Sequence, residues 1–400
     1  MKILQVNCVY GKGSTGKIMR DNHMELLDRG YESVICYGRG AKTTDPYVYK
    51  TCSEAYSKLN NLLTRFTGLL YGGCFFSTNK LISVIKKEKP DVVHLHCING
   101  YFVNIYRLIT WLKKNHIKTL VTLHAEFMHT GNCGHALECE KWKTGCGHCP
   151  VVKKETRSLF FDRTAASWKK MKKAFEGFEE DCMVTSVSPW LMERAQESPI
   201  LGHLRHVTVL DGLEPAVFYP HGGEAVREKL RIGERKMVLH VTASFSTEPG
   251  HFKGGAFVVE LAKRMPEMAF VVVGSRNLDL ELPENVINVG RLENQDELAA
   301  YYTAADVTVV TSKRETFSMP VAESLSCGTP AVGFKAGAPE RIGLPAYSEF
   351  VEYGDLDGLQ KLLVQYSAIK ADDAEAHKVY AKEQMTAAYT KCYEELVWKD

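Results

Sequence analysis

The residues best suited to chemistry lie in "SKRETFSMPVAESLSCGTPAVGFKAGAPERI", Ser312 to Ile342. Glu315 directly follows an apolar run, which puts it at the carboxyl end of a strand. Pro320 suits the first turn of a helix, Glu323 falls in that turn, and Gly328 is the helix stop. Both carboxylates then face the carboxyl end of a sheet. There they can accept hydrogen bonds from vicinal hydroxyls of a sugar and a ribose. The backbone N–H groups of Phe317, Ser318 and Met319, at the helix start, are placed to meet a phosphate. Glutamates reach this spacing by chance, so the context carries the reading: strand, Glu, Phe, Pro, Glu, Cys-Gly-Thr-Pro and a further strand.

A glycine loop and four cysteines are the other candidates. In "VNCVYGKGSTGKIMRD", residues 6 to 21, Gly11, Gly16 and Lys17 have the spacing of a P-loop. A P-loop needs Ser or Thr after the lysine to hold magnesium, and Ile18 stands there. It also needs an acid ending a second apolar strand. "VVHLHC", "VVVGS" and "VTVVTS" carry none. Two readings remain: a plain tight turn, or a loop whose small residues admit an anion or sugar to backbone N–H groups. Cys133, Cys139, Cys146 and Cys149 fall in "CGHALECEKWKTGCGHC". Four thiolates this close suit a tetrahedral structural zinc, with His135 and His148 as alternate ligands. Unmetallated thiols and a redox disulfide are the alternatives. The remaining cysteines are scattered, several in apolar runs, as buried thiols of a reducing compartment are.

These residues need a frame. "KILQV", "SVICYG", "DVVHLHC", "TLVTLH", "CMVTSVS" and "HVTVL" read as strands, with helical segments such as 14–29 and 101–115 between them. Strands this apolar, alternating with helices, indicate a parallel sheet covered on both faces. The pattern pauses at "LDGLEPAVFYPHGGE", a linker of prolines and glycines. A second series follows: "MVLHVTA", "AFVVVG", "NVINVG", "DVTVVTS", "AVGF" and "EFVEYG". The fold class expected is α/β, two Rossmann-like domains facing across a cleft, with a terminal helix crossing back to the first. The first domain takes 1–211 and a helix of about 378–400, and the second takes 212–377. His94 and His96 are expected on opposite faces of their strand, one of them in the core.

Net charge is +2, which makes no general case for nucleic acid. "MKILQVN" turns polar too early for a secretory signal. "FTGLLYGGCFFSTN" is short and glycine-rich against the ~20 apolar residues of a bilayer span. The expected location is cytoplasmic, with peripheral contact on the inner face of the membrane. "RTAASWKKMKKAFEGF" mixes Lys169, Lys170, Lys172 and Lys173 with Trp168, Phe175 and Phe178. It reads either as a bilayer-contacting surface, joined by the apolar 69–76 stretch, or as a solvated helix face.

The sequence resembles a family. "ETFSMPVAESLSCGTPAVGF" is similar to the Glu-x7-Glu segment of the retaining GT-B glycosyltransferase family 4. "GSTGKI", "PDVVHLH", "TLVTLH", "DGLEPAVFYP" and "FKGGAFVVELAKRMPEMAFVVVG" look like further segments of that family, so the likeness covers most of the chain. The cysteine-rich loop resembles one found in a branch of it, on the acceptor-binding domain. The resemblance implies metal-independent hexosyl transfer from a UDP- or GDP-linked sugar to a glycan. The acceptor implied is a lipid-linked precursor of capsule or exopolysaccharide. By the same match Glu323 binds the donor's ribose, Glu315 the donor sugar, and Lys253 the diphosphate. His124 lies by the transferred sugar, and Gly13 and Gly16 cradle the diphosphate or the acceptor side. No cofactor takes part in catalysis. The chain departs from the pattern in three places. "SFSTEPGH" replaces a common arginine, leaving His251 or Arg276 as substitutes; Ser318 stands for a glycine and Asp211 for an asparagine. A nucleotide-sugar epimerase of the same fold and a non-catalytic nucleotide-sugar-binding protein are the alternatives.

Overall fold

A computed structural model describes residues 1–274 and 280–398. The chain folds as two compact units, Met1–Asp211 with Met385–Asp400, and Gly212–Gln384.

The first unit is built on strands β1 (Lys2–Val9), β2 (Glu32–Arg39), β3 (Val48–Lys50), β4 (Val92–Leu95), β5 (Lys118–Leu123), β6 (Cys182–Ser186) and β7 (Arg205–Thr208). They pair in parallel in the order β3-β2-β1-β4-β5-β6-β7. β4 and β6 are buried along their whole length, as helices on both faces of a parallel sheet require. The order reverses between β1 and β4, and the crevice outside strand ends at such a switch point is where these sheets bind ligands. The helix Lys382–Val397 completes this unit. It buries Tyr389, Tyr393 and Leu396, and the Tyr393 hydroxyl reaches both His94 and Asn22.

The second unit has β8 (Met237–Val241), β9 (Ala269–Val273), β10 (Val286–Gly290), β11 (Val307–Val310), β12 (Ala331–Phe334) and β13 (Ser348–Val351), all parallel in the order β10-β9-β8-β11-β12-β13. Its switch point falls between β8 and β11. Val258, Leu261, Phe270, Val272, Val309, Phe334 and Leu363 form the core beside this sheet. The stretch read as a linker is partly pinned. Leu213 N donates to Tyr380 O at 2.7 Å, and Lys382 N donates to Leu213 O at 2.8 Å.

Two readings are corrected here. Residues two apart in a strand share a face, and the His94 and His96 rings lie side by side with centroids 3.8 Å apart, both buried. The helix Thr164–Phe175 turns Trp168, Met171 and Phe175 into the core and leaves its lysines outside, the ordinary solvated arrangement.

Candidate functional site

In the second unit Lys253 follows β8 and Glu315 follows β11, so the switch point brings them together. Lys253 Nζ stands 2.6 Å from Glu315 Oε1, and both side chains are mostly buried. The backbone explains the meeting. Thr311 Oγ1 donates to Lys253 O at 3.1 Å, and Lys313 N donates to Phe252 O at 2.8 Å. Gly254 has φ +68°, and a Cβ there would stand 2.0 Å from the Thr311 carbonyl oxygen, so only glycine lets the two segments touch. Glu315 is fixed from its other side by Glu315 N donating to Ala336 O at 2.9 Å.

Glu323 is the fifth residue of the helix Met319–Ser326, one past the first turn expected for it. It is buried, and its Oε2 accepts from Tyr302 OH at 2.8 Å. Burial pushes the Tyr302 phenol well above its ordinary value, and the Glu323 charge adds to that, so the phenol is the donor. Phe317, Ser318 and Met319 lead into the helix, with Pro320 in its first turn. Ser318 holds φ +85°, the left-handed region that favours glycine, and its buried hydroxyl has no partner among the described residues. His251 lies just before Lys253, its ring 5.1 Å from Phe252. Arg276 lies outside the described residues. The sequence does hold one Asp-x-Asp triplet, the pattern that binds a divalent ion in other transferases, at Asp355 and Asp357, but both are engaged: Asp355 caps its helix at Gly358 N, and Asp357 pairs with Arg264.

In the first unit the glycine loop follows β1. Gly11 and Gly13 both have φ +64°, and Gly11 N donates to Gly16 O at 3.0 Å. A Cβ on Gly16 would meet Val9 Cγ2 at 3.0 Å and Val9 O at 3.2 Å, so the turn is tight there and favours a glycine. His96, after β4, lies at the same switch point. Its Nδ1 is 3.2 Å from His124 Nε2, and its Nε2 is 3.1 Å from Gln5 Oε1 on β1. His124, after β5, has Nδ1 3.6 Å from Asp211 Oδ1. His94 is a satisfied core histidine, bonded to Tyr393 OH at 2.8 Å and Thr122 Oγ1 at 2.6 Å. Burial holds the His94 and His96 imidazoles well below their ordinary value, and the neighbouring histidines add to this, so both are neutral.

The cysteine loop does not fit a metal as arranged. Cys133, Cys139, Cys146 and Cys149 are free thiols close enough to feel one another's charge. Burial pushes the metal-free Cys146 thiol up to about 11. Among the described residues no group of three or more His, Cys, Asp or Glu is gathered closely enough to hold a metal ion as arranged. The loop is held by other means. Buried Glu126 accepts from Ala136 N at 2.7 Å and from Arg194 Nε at 2.7 Å, and Arg194 lies 4.9 Å over the ring of buried Trp142. Burial raises the Glu126 carboxyl, but His129, Arg194 and the Ala136 N–H outweigh it and bring it down to about 2. Neither Glu126 and Arg194 nor Tyr302 is marked in the sequence. Each belongs to a pair distant along the chain, and no spacing rule links its members.

Comparison with known proteins agrees with this geometry. Residues 224–354, which lie within the second unit, match the family model "Glycosyl transferases group 1". The chain is 31% identical over 165 residues to WcaC of Escherichia coli K12, a candidate colanic acid biosynthesis glycosyl transferase. That match takes in 38% of this chain and 40% of the relative's length. It is 21% identical to N-acetyl-alpha-D-glucosaminyl L-malate synthase of Bacillus anthracis, over 78% of this chain and 73% of that one. Among solved structures, sucrose-phosphate synthase of Thermosynechococcus elongatus matches at TM-score 0.69 and 15% identity, covering 100% of both chains. HepE of Anabaena in complex with UDP-glucose matches at TM-score 0.64 and 13% identity, over 99% of this chain and 100% of that one. The fold is the pair of parallel-sheet Rossmann-like domains of GT-B proteins.

Proposed function

We propose that this protein is a retaining glycosyltransferase that moves a hexosyl group from a UDP- or GDP-linked donor to a glycan. The acceptor proposed is a lipid-linked precursor of a surface polysaccharide, reached from the cytoplasm by peripheral contact with the membrane. The observation that carries this is the Lys253–Glu315 pair, 2.6 Å apart at the switch point of a group 1 glycosyltransferase domain. In this reading Lys253 neutralises the donor diphosphate, and the N–H groups of Phe317, Ser318 and Met319 at the helix start assist it. Glu315 grips hydroxyls of the donor sugar, and Glu323, braced by Tyr302, grips those of the ribose. Gly13 and Gly16 admit the diphosphate or the acceptor to backbone N–H groups, and His124 lies by the transferred sugar. The leaving diphosphate gains negative charge as the glycosidic bond opens. Preorganised cations and dipoles stabilise it, and its phosphate takes the acceptor's proton, so no enzyme nucleophile or metal is required. The complex of HepE with UDP-glucose and the name of the Escherichia coli relative support the donor class and the polysaccharide context.

The test is release of nucleoside diphosphate from a panel of nucleotide sugars with acceptor present. Glu315→Ala and Lys253→Ala each lower turnover by about a hundredfold or more, while EDTA leaves it unchanged. Turnover abolished by EDTA and restored by magnesium overturns the metal-free reading. Conversion of donor without acceptor would make the protein an epimerase instead.

A further inference from the structure

The helix Glu54–Thr67 is turned inside out. Its buried residues are Ser57, Asn60 and Thr64, all polar. Leu59, Leu62, Leu63 and Phe66, spaced as one face of a helix, are each about half exposed. A surface helix ordinarily lays that stripe on the core. Here the polar face does the anchoring. Ser57 Oγ donates to Gly100 O at 3.2 Å, Asn60 Oδ1 accepts from Cys74 N at 2.7 Å, and Ser53 caps the helix start.

The apolar stripe continues beyond the helix. Phe66 stacks on Phe160 at 5.8 Å, and Phe160 meets Phe161 at 6.4 Å. At the other end Tyr56 meets Phe76 at 5.9 Å, beside Phe75. Phe76 is 72% exposed and Phe160 67%, so this is a contiguous greasy surface rather than scattered side chains. Cations rim it. Lys58 and Arg65 lie on the helix, Arg157 and Arg163 bracket Leu159–Phe161, and Arg163 stands 5.7 Å over the Phe161 ring. Residues 54–67 and 151–163 hold six cations against three acids, an excess above the +2 of the whole chain. The acids are engaged already. Glu54 is held by Arg39, Lys50 and Gly40 N, Asp162 accepts from Cys149 N and Thr164, and burial pushes the Glu155 carboxyl up.

We infer that the helix Glu54–Thr67, the start of the helix Phe75–Glu88 and the 159–161 loop form a surface that docks on an anionic phospholipid bilayer. This deepens the peripheral-membrane reading above and moves it off the Thr164–Phe175 helix. The apolar stripe enters the headgroup–acyl boundary, and the cations meet the lipid phosphates.

The test is co-sedimentation of the full chain with phosphatidylcholine vesicles, with and without phosphatidylglycerol. The protein sediments with the anionic vesicles, and added salt weakens the association. Leu62→Ser/Leu63→Ser/Phe66→Ser and Phe160→Ser/Phe161→Ser each lower the partition coefficient about tenfold or more, as does Lys58→Glu/Arg65→Glu. All these positions are exposed, so circular dichroism and the thermal midpoint stay at the parent's values. Glu315→Ala loses donor turnover yet binds vesicles like the parent, so the docking surface and the transferase reading fail separately. The inference is overturned if the parent ignores anionic vesicles or if the variants bind as the parent does. It is also overturned if the parent is a dimer that the triple serine variant disperses, since a second copy then covers the patch.

Discussion

At the scale of single residues, the site depends on places where one atom more does not fit. Gly254 carries the Lys253 backbone past Thr311, so Gly254→Ala adds a Cβ 2.0 Å from a carbonyl oxygen at positive φ. It destabilises the second unit by about 2 kcal/mol or more, read as a lower urea midpoint. Tyr302→Phe removes a buried donor from Glu323 while keeping the ring. It costs about 1–3 kcal/mol and weakens nucleotide-sugar binding, measured by calorimetric titration. If the mutant matched the parent in both, Tyr302 would not be bracing Glu323. Glu315 is legible in the sequence because it follows an apolar run beside a proline-marked helix start, and Lys253 only through the family likeness of its Lys-Gly-Gly segment. Tyr302 is not, because a tyrosine inside a helix looks like any core aromatic until its partner is known. Ser318 is half legible: its departure from a glycine shows in the sequence, while its φ of +85° shows only in the structure.

At the scale of elements, the parallel strands are readable because their apolar runs are nearly continuous, and their β/α alternation fixes the sheet type. Two features escape. β3 is a three-residue edge strand with no apolar signal, and the helix Glu54–Thr67 has its polar residues inward, against the rule by which helices are oriented. The ends of β4 and β5 supply a pH prediction. His94 and His96 are held neutral by burial, well below the value they have in the unfolded chain. The unfolded state therefore binds protons that the folded state refuses. Stability is full above about pH 6.5 and falls below it, by roughly 1.4 kcal/mol per pH unit for each histidine. Urea unfolding of the first unit, followed from about pH 7 to about pH 5, should show the midpoint falling. A midpoint that stays level through that window would mean the imidazoles titrate in the folded protein.

At the scale of the whole molecule, the cysteine loop is anchored through Glu126, Arg194 and Trp142. Close to no zinc in protein purified without chelator, with a thermal midpoint unchanged by dialysis against EDTA, would remove the four-thiolate zinc. Stoichiometric zinc, with a midpoint that drops on chelation, would restore the four-thiolate site. Among the described residues no helix is long and apolar enough to cross a membrane, and the docking inferred above rests on the outward stripe of Leu59, Leu62, Leu63 and Phe66. The first unit also borrows its last helix from the far end of the chain, where Tyr393 bonds His94 and Asn22. During translation residues 212–384 all leave the ribosome before that helix does. The first unit therefore stays incomplete, with His94 lacking its Tyr393 partner, until synthesis has passed that helix. A chain cut short of residue 385 would lack that helix, and its front half would stand open to proteases and chaperones.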